Sequence, residues 1–463
     1  MTSPSVRLAT SIARRQHIST ASRLSPCPYR TTPPASTSAA ITRCIRPTAS
    51  STYYNPSRRR EQSTWAAAVN TAQHIFNPTP DPNAPISADP FQIVAKEMKF
   101  LTKNIRQLLG SGHPSLDTVS KYYTQSEGKY VRPMLVLLMS RATSLTPKLA
   151  RKTTPDPFSV DDPITRREIL RDENPSALEY SPLTSSTHDT QHNTQASDIL
   201  PSQRRLAEIT ELIHTASLLH DDVIDHSESR RSAPSANIEF GNKMTVLAGD
   251  FMLGRASVAL ARLRDPEVTE LLATVIANLI EGEFMQLKNT ARDERNPRYT
   301  EETLTYYLQK TYLKSASLIS KSCRAAAILG GSTPDVVEAA YLYGKNLGLA
   351  FQLVDDMLDY TVSGEELGKP AGADLELGLA TAPLLFAWKD NSSLGKLVGR
   401  KFSHEGDVQR ARDIVASSSG LEQTRALAQE YVDKAIEAIS GFPDSDAKTG
   451  LIDMCTKVMK RRK

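Results

Sequence analysis

The sequence predicts an all-α helical bundle with a cavity at its centre. Three observations carry that expectation. From Gln203 onward, apolar residues recur at helical rather than alternating spacing, which marks helices that each bury one face. Strand signals are weak throughout. Clusters of Gly, Pro, Asn and Asp cut the periodic stretches apart, as at Arg264-Asp265-Pro266, Arg295-Asn296-Pro297, Gly330 to Asp335 and Gly368 to Asp374.

The elements follow in order. Residues 1–60 hold Arg7, Arg14, Arg15, Arg23, Arg30, Arg43, Arg46 and Arg58 to Arg60, many Ser and Thr, and no acidic residue before Glu61. That is the composition of a mitochondrial transit peptide, and a disordered basic tail is the plainer alternative. No long apolar core of a secretory signal is present. No run of about 18 apolar residues appears, so no transmembrane helix is expected. Residues 61–90 are rich in Pro and Asn and read as a linker. Helices are expected to begin near Asp89, with Pro90 in the first turn, and to continue over 91–109, 113–123 and through Gly128 to Ala142. Residues from about 145 to 203 are rich in Pro, Ser, Thr, Asp and Asn. They carry too little apolar content to bury a core, so they read as a disordered surface insertion in a domain spanning 91–463. Helices are then expected over 203–226, 241–263, 266–289, 300–330, 333–360, 378–391, 405–418, 420–440 and 444–460.

The chain of 463 residues has a net charge of +4, which does not argue for a nucleic-acid partner. Cys27 and Cys44 lie in the leader. Cys323 and Cys455 have no metal-type spacing and read as free thiols in a reducing compartment.

One stretch organises the rest. Glu211 to Arg231 begins as an apolar helix and ends in a cluster of carboxylates followed by two arginines. Asp221 and Asp225 are four apart and share a helix face, with Asp222 beside them. Three like charges this close repel, and a hard divalent cation such as Mg²⁺ offsets that cost. Arg230 and Arg231 suit a phosphate, because a guanidinium binds two oxygens at once. One such motif is equally a solvated acidic helix end. A second removes the ambiguity: Phe351 to Tyr360 repeats the spacing with Asp355, Asp356 and Asp359. Two apolar helices ending this way can face each other across one cavity, with six carboxylates holding several Mg²⁺ ions around a diphosphate.

These motifs, LLHDDVID with its two arginines and FQLVDDMLD, resemble those of the all-trans polyprenyl diphosphate synthases. The likeness is to the long-chain mitochondrial type that makes the ubiquinone side chain. It covers roughly Phe91 to the C-terminus, the insertion excepted. It implies an isoprenoid-synthase-type bundle and sequential head-to-tail condensation of isopentenyl diphosphate onto an allylic diphosphate, farnesyl or geranylgeranyl. It implies metal ligation by Asp221, Asp222, Asp225, Asp355, Asp356 and Asp359, with Asp221 and Asp225 the firmest. Arg230 is expected on the allylic diphosphate and Arg231 on that of the second substrate. GKYVRP resembles the family's GKxxRP, so Lys129 and Arg132 are expected on isopentenyl diphosphate together with His214. Taken alone, such residues are surface charges and a satisfied core histidine. Lys314 and Ser315 match a Lys-Thr pair, with Ser keeping the hydroxyl. Gln352 and Lys369 match positions that contact diphosphate. Gly378-Leu379-Ala380-Thr381 lacks a lysine found in the bacterial pattern. Glu281-Gly282-Glu283 reads as helix packing and support behind the ligands.

The resemblance also implies a homodimer or heteromer in the mitochondrial matrix. The basic tail, Lys457 to Lys463, reads as a solvated terminus, with contact to an anionic inner-membrane surface as the alternative. Rival readings are a geranylgeranyl diphosphate synthase, a terpene cyclase and a non-catalytic regulatory subunit. Cyclases usually carry one DDxxD, and regulatory subunits typically lose one, whereas this chain keeps both.

Short-chain relatives block the product tunnel with an aromatic four or five residues before the first aspartate. Here those positions are Ser217 and Ala216. Gln203 to Asp225 spans roughly 33 Å as a helix, room for several isoprene units. Ala216→Phe is expected to shorten the product. Chromatography of the variant's products checks this, and an unchanged chain length would sink the tunnel assignment.

Overall fold

The computed structural model describes residues 89–125, 130–149, 160, 198–230, 233–287, 297–361 and 372–461. The expected transit peptide, nearly all of the linker, most of the insertion and the site residues Lys129, Arg231 and Lys369 lie outside these.

Asp89 caps the first turn, its carboxylate accepting from the Phe91 amide, and Pro90 opens the helix at a position where no amide hydrogen is needed. The helices are α1 (Pro90–Ile93), α2 (Ala95–Leu108), α3 (Pro114–Gln125), α4 (Val131–Ser144) and α5 (Pro201–Ile224). A two-residue antiparallel hairpin follows, β1 (Ser229–Arg230) and β2 (Ala233–Pro234). After it come α6 (Ala236–Phe240), α7 (Asn242–Arg262), α8 (Pro266–Leu287) and α9 (Glu301–Thr311). A π-helical turn, Tyr312–Ala316, leads into α10 (Ser317–Leu329) and α11 (Pro334–Thr361). The rest are α12 (Ala373–Glu376), α13 (Ala382–Asp390), α14 (Leu394–Gly399), α15 (Asp407–Ala416), α16 (Gly420–Ala438) and α17 (Asp446–Met459).

The core is built around α5. Every residue from Arg205 to Ile213 is buried, so this helix has no solvent face over those turns. It packs on α7, α4 and α10, while α11 packs on α10 and α16. Small residues set how closely the helices approach. A Cβ at Gly344 of α11 would lie 2.7 Å from Ser320 Cα of α10, and one at Gly348 would lie 2.7 Å from Ala316 Cα. A Cβ at Gly249 of α7 would run into the ring of His220. On length and composition α7 could cross a bilayer, with a mean hydropathy of 1.3. Its small residues pack against α5, while Val246 and Leu247 on another side are exposed.

Three expectations are corrected. The single helix over 300–330 is interrupted by the π turn. The helix expected from 378 begins at Ala382, because Gly378 turns the backbone to φ +77°. The insertion surrenders its edges to the fold. At one edge the Leu149 amide donates to Gly331 O at 2.8 Å. At the other Ile199 is fully buried, and α5 starts at Pro201. Within it, Val160 O accepts from Arg205 Nε at 3.2 Å.

The backbone of α10 cannot yield as a flexible side chain would. Gly344→Ala is therefore expected to lower stability by about 1–3 kcal/mol through overpacking. Chemical denaturation of variant and parent measures it, and equal midpoints would refute the close approach.

Candidate active site

Both acidic motifs close long helices. Asp225 ends α5, its amide donating to Asp221 O at 2.7 Å. His226 then adopts a left-handed backbone, φ +52°, and turns the chain into the hairpin that carries Arg230. The second motif lies in the last turns of α11.

The six aspartates divide by what holds them. Asp222 is 0 % exposed. Its Oδ1 accepts Arg230 Nε at 2.8 Å and Nη2 at 2.5 Å, and its Oδ2 accepts the Tyr123 hydroxyl. Asp356 is almost as deeply buried. Its Oδ2 accepts the Tyr307 hydroxyl at 2.5 Å and its Oδ1 accepts Gln352 Nε2 at 2.9 Å. Gln352 Oε1 in turn accepts the Ser315 hydroxyl at 2.8 Å. Asp359 accepts the amides of Ala373 and Asp374 at 3.2 and 3.4 Å, and so caps the short α12. Asp355 Oδ1 lies 2.6 Å from Arg461 Nη1, whose guanidinium sits 4.1 Å from the centre of the Phe351 ring.

The six carboxylates expected to ligate metal therefore differ in their protein partners. Asp222 and Asp356 are buried acceptors of protein hydrogen bonds, Asp359 caps a helix and Asp355 pairs with Arg461. Arg230, expected on the allylic diphosphate, gives Nε and Nη2 to Asp222. Burial opposes its charge, but Asp222, with Tyr123 and Asp221, outweighs this and raises its pKa.

Two lysines feel the charge of the motifs. Lys314 lies in the π turn, a local unwinding common at functional sites, with its Nζ 2.5 Å from Glu283 Oε2. Burial opposes its charge, but Asp221 and Glu283 outweigh this and raise its pKa, with Asp225 adding to them. Lys310, nearly one turn earlier, is lowered by burial against the pull of Asp356 and Asp374, and feels Lys314 as well. The first motif acts on one lysine and the second on its neighbour. Gly282 lets α8 come this close, since a Cβ there would lie 2.9 Å from Lys314 N. His214 and Arg132 also meet, with Arg132 Nη1 donating to His214 Nε2 at 2.8 Å. Ala216 is fully buried in the core, and the Ser217 hydroxyl donates to His214 O at 2.8 Å.

Sequence reasoning missed Tyr123, Tyr307, Lys310 and Arg461. Tyr307, Lys310 and Lys314 step by three and four along one helix face, a signal that was there to read. Within the basic tail, Arg461 reaches Asp355, and the half-exposed Lys457 pairs with Asp89 at 2.6 Å.

Burial pushes the pKa of both Asp221 and Asp356 up from 3.8 to about 6, and at Asp221 Lys314 offsets it only in part. Between those values the folded chain keeps a proton that the unfolded chain has lost. Stability therefore falls as pH rises through that window, and at neutral pH the charged carboxylate is a cost. A divalent cation would offset it. Among the described residues no group of three or more His, Cys, Asp or Glu is placed to hold a metal ion. Mg²⁺ takes one or two carboxylates and completes its shell with water and substrate phosphates. The donors are all hard oxygens, as such an ion requires.

The polyprenyl synthetase family profile matches residues 184–415. A Neurospora crassa protein named as a probable mitochondrial hexaprenyl pyrophosphate synthase is 67 % identical, over 89 % of this chain and 91 % of that one. Subunit 1 of a Schizosaccharomyces pombe decaprenyl-diphosphate synthase is 48 % identical, over 80 % of this chain and 91 % of that one. A Caulobacter crescentus polyprenyl synthase, solved with calcium and isoprenyl diphosphate, superposes with a TM-score of 0.64 at 27 % identity. That match covers 82 % of this chain and all of the other.

Without metal at pH 7, Asp221→Asn is expected to raise the unfolding temperature above that of the parent. The gap should close below about pH 4, where the parent's carboxyl is protonated in both states. Thermal unfolding across pH decides it, and a variant less stable than the parent at pH 7 contradicts the sign.

Proposed function

The chain belongs to the polyprenyl synthetase family, and from that premise we propose that it is a long-chain all-trans polyprenyl diphosphate synthase of mitochondria. The observation that carries the reading is that two acidic motifs close α5 and α11, with Lys314 in ion-pair contact with Glu283 and under the charge of Asp221 and Asp225. Carboxylates and lysines gathered in this way suit a metal-chelated diphosphate better than any uncharged ligand.

When bound, Mg²⁺ supplies charge stabilisation to the departing diphosphate. Asp221, Asp225 and Asp355 are the residues we assign to hold it. Lys314 sits where it can turn from Glu283 to a phosphate oxygen, so the lysine's charge is ready before substrate arrives. Arg132 and His214, already hydrogen-bonded to each other, are assigned to the diphosphate of isopentenyl diphosphate together with Lys129. Arg231 and Lys369 are assigned to diphosphate on their place in the motifs. The allylic C–O bond breaks, the alkene of isopentenyl diphosphate attacks the resulting cation, and a proton is lost to the released diphosphate. No side chain need act as nucleophile. The protein's tasks are to orient both substrates and to keep water from the cation.

The product is lengthened in repeated cycles, with the chain expected to run along α5 past Ala216 and Ser217. The relatives differ in product, hexaprenyl in one name and decaprenyl in another, and a long product is the reading that both share. Because one relative is named as a subunit, we also place a second subunit in the working assembly. Ile280, Phe284 and Leu287 of α8, together with Leu247 of α7, are exposed and available to it.

Purified protein given Mg²⁺, farnesyl diphosphate and labelled isopentenyl diphosphate is expected to form a polyprenyl diphosphate longer than twenty carbons. Activity should disappear with a chelator and return with Mg²⁺. A product stopping at twenty carbons would indicate a geranylgeranyl diphosphate synthase, and no product at all would overturn the enzymatic reading.

A further inference from the structure

The second aspartate of each motif is held in the same way, by groups of unrelated origin. Asp222 and Asp356 each accept a hydroxyl from a buried tyrosine on another helix, Tyr123 of α3 and Tyr307 of α9. The two tyrosines lie at unlike distances along the chain, 99 residues before Asp222 and 49 before Asp356. Each aspartate has one more side-chain donor, Arg230 in the first motif and Gln352 in the second. Tyr123 is itself fixed, since its oxygen accepts the Ala236 amide at 2.8 Å.

Helix geometry gives this arrangement a consequence. Successive residues are turned by about 100°, so residues one before and three after a given position lie within roughly 40° of each other. A second aspartate pinned inward therefore fixes where its neighbours point. In the first motif those neighbours are Asp221 and Asp225. In the second, the neighbour before it is Asp355.

We infer that Tyr123 and Tyr307 are positioning residues that lock the second aspartate of each motif into the core and so aim the outer carboxylates at the cation. Neither tyrosine touches the ion or the substrate. Removing a hydroxyl leaves a buried carboxylate short of a donor and frees it to turn outward. The outer carboxylates then lose their fixed direction. The inference rests on the metal-dependent reading above, but its test needs no turnover.

The probe is Mn²⁺ with inorganic pyrophosphate, followed by titration calorimetry on the full chain. Tyr123→Phe and Tyr307→Phe are each expected to weaken Mn²⁺ binding about tenfold, as outer-shell changes at metal sites do. Asp356→Asn is expected to weaken it by a similar factor, and far less than Asp355→Asn does. In the Asp356→Asn background, Tyr307→Phe should add nothing, because the group it positions is already altered. Unchanged Mn²⁺ affinity in both tyrosine variants, whatever their melting temperatures, would show that the hydroxyls serve stability alone and would overturn the inference. So would an Asp356→Asn variant as impaired as Asp355→Asn, since Asp356 would then be a direct ligand. Should Tyr307→Phe fail to fold, its double variant with Asp356→Asn restores a neutral site and carries the same comparison. A parent that binds Mn²⁺ and pyrophosphate but forms no product would refute the proposed reaction and leave the positioning role standing.

Discussion

Negative charge gathered at two helix ends must be balanced before a helical bundle can close around it. Lys310 and Lys314 meet that constraint from a neighbouring element, one facing each motif. Their own burial is unfavourable. Asp221 and Glu283 overcome it at Lys314, whereas at Lys310 burial prevails over Asp356 and Asp374. The π turn that carries Lys314 belongs to the same solution. It packs against Gly282 on one side and Gly348 on the other, both of which admit its backbone at distances no larger residue allows.

That balance is deliberately incomplete. Asp222 and Asp356 each accept hydrogen bonds from protein donors. Burial nevertheless keeps the proton affinity of Asp356 as high as that of Asp221, each pushed up to about 6. The site thus combines carboxylates held by buried donors with negative charge that burial leaves unfavourable at neutral pH. Rigidity and ligand demand come from neighbouring residues of one motif, because a helix turns adjacent side chains in different directions.

Much of this was legible in the residues. The 3.6-residue period located the long helices, and like charges at a four-residue interval marked the site. The pattern was less able to say which carboxylates are spent. Asp221 and Asp222 look alike in a sequence, and only the partners brought from distant helices, Tyr123 and Arg230 on one and Lys314 near the other, tell them apart. Tyr307 and Tyr123 were invisible for the same reason: a buried tyrosine reads as core until its hydroxyl is seen to have a partner. The π turn escaped because the apolar period runs through it unbroken. The edges of the insertion escaped because Ile199 is one apolar residue in a polar stretch, and its burial depends on what packs over it.

Arg461, just beyond the last turn of α17, lies against Asp355 near the end of α11. A substitution that loosens α17 is therefore felt at the second acidic motif, although the two are far apart along the chain. Damage to what looks like a peripheral helix reaches the carboxylates through one guanidinium.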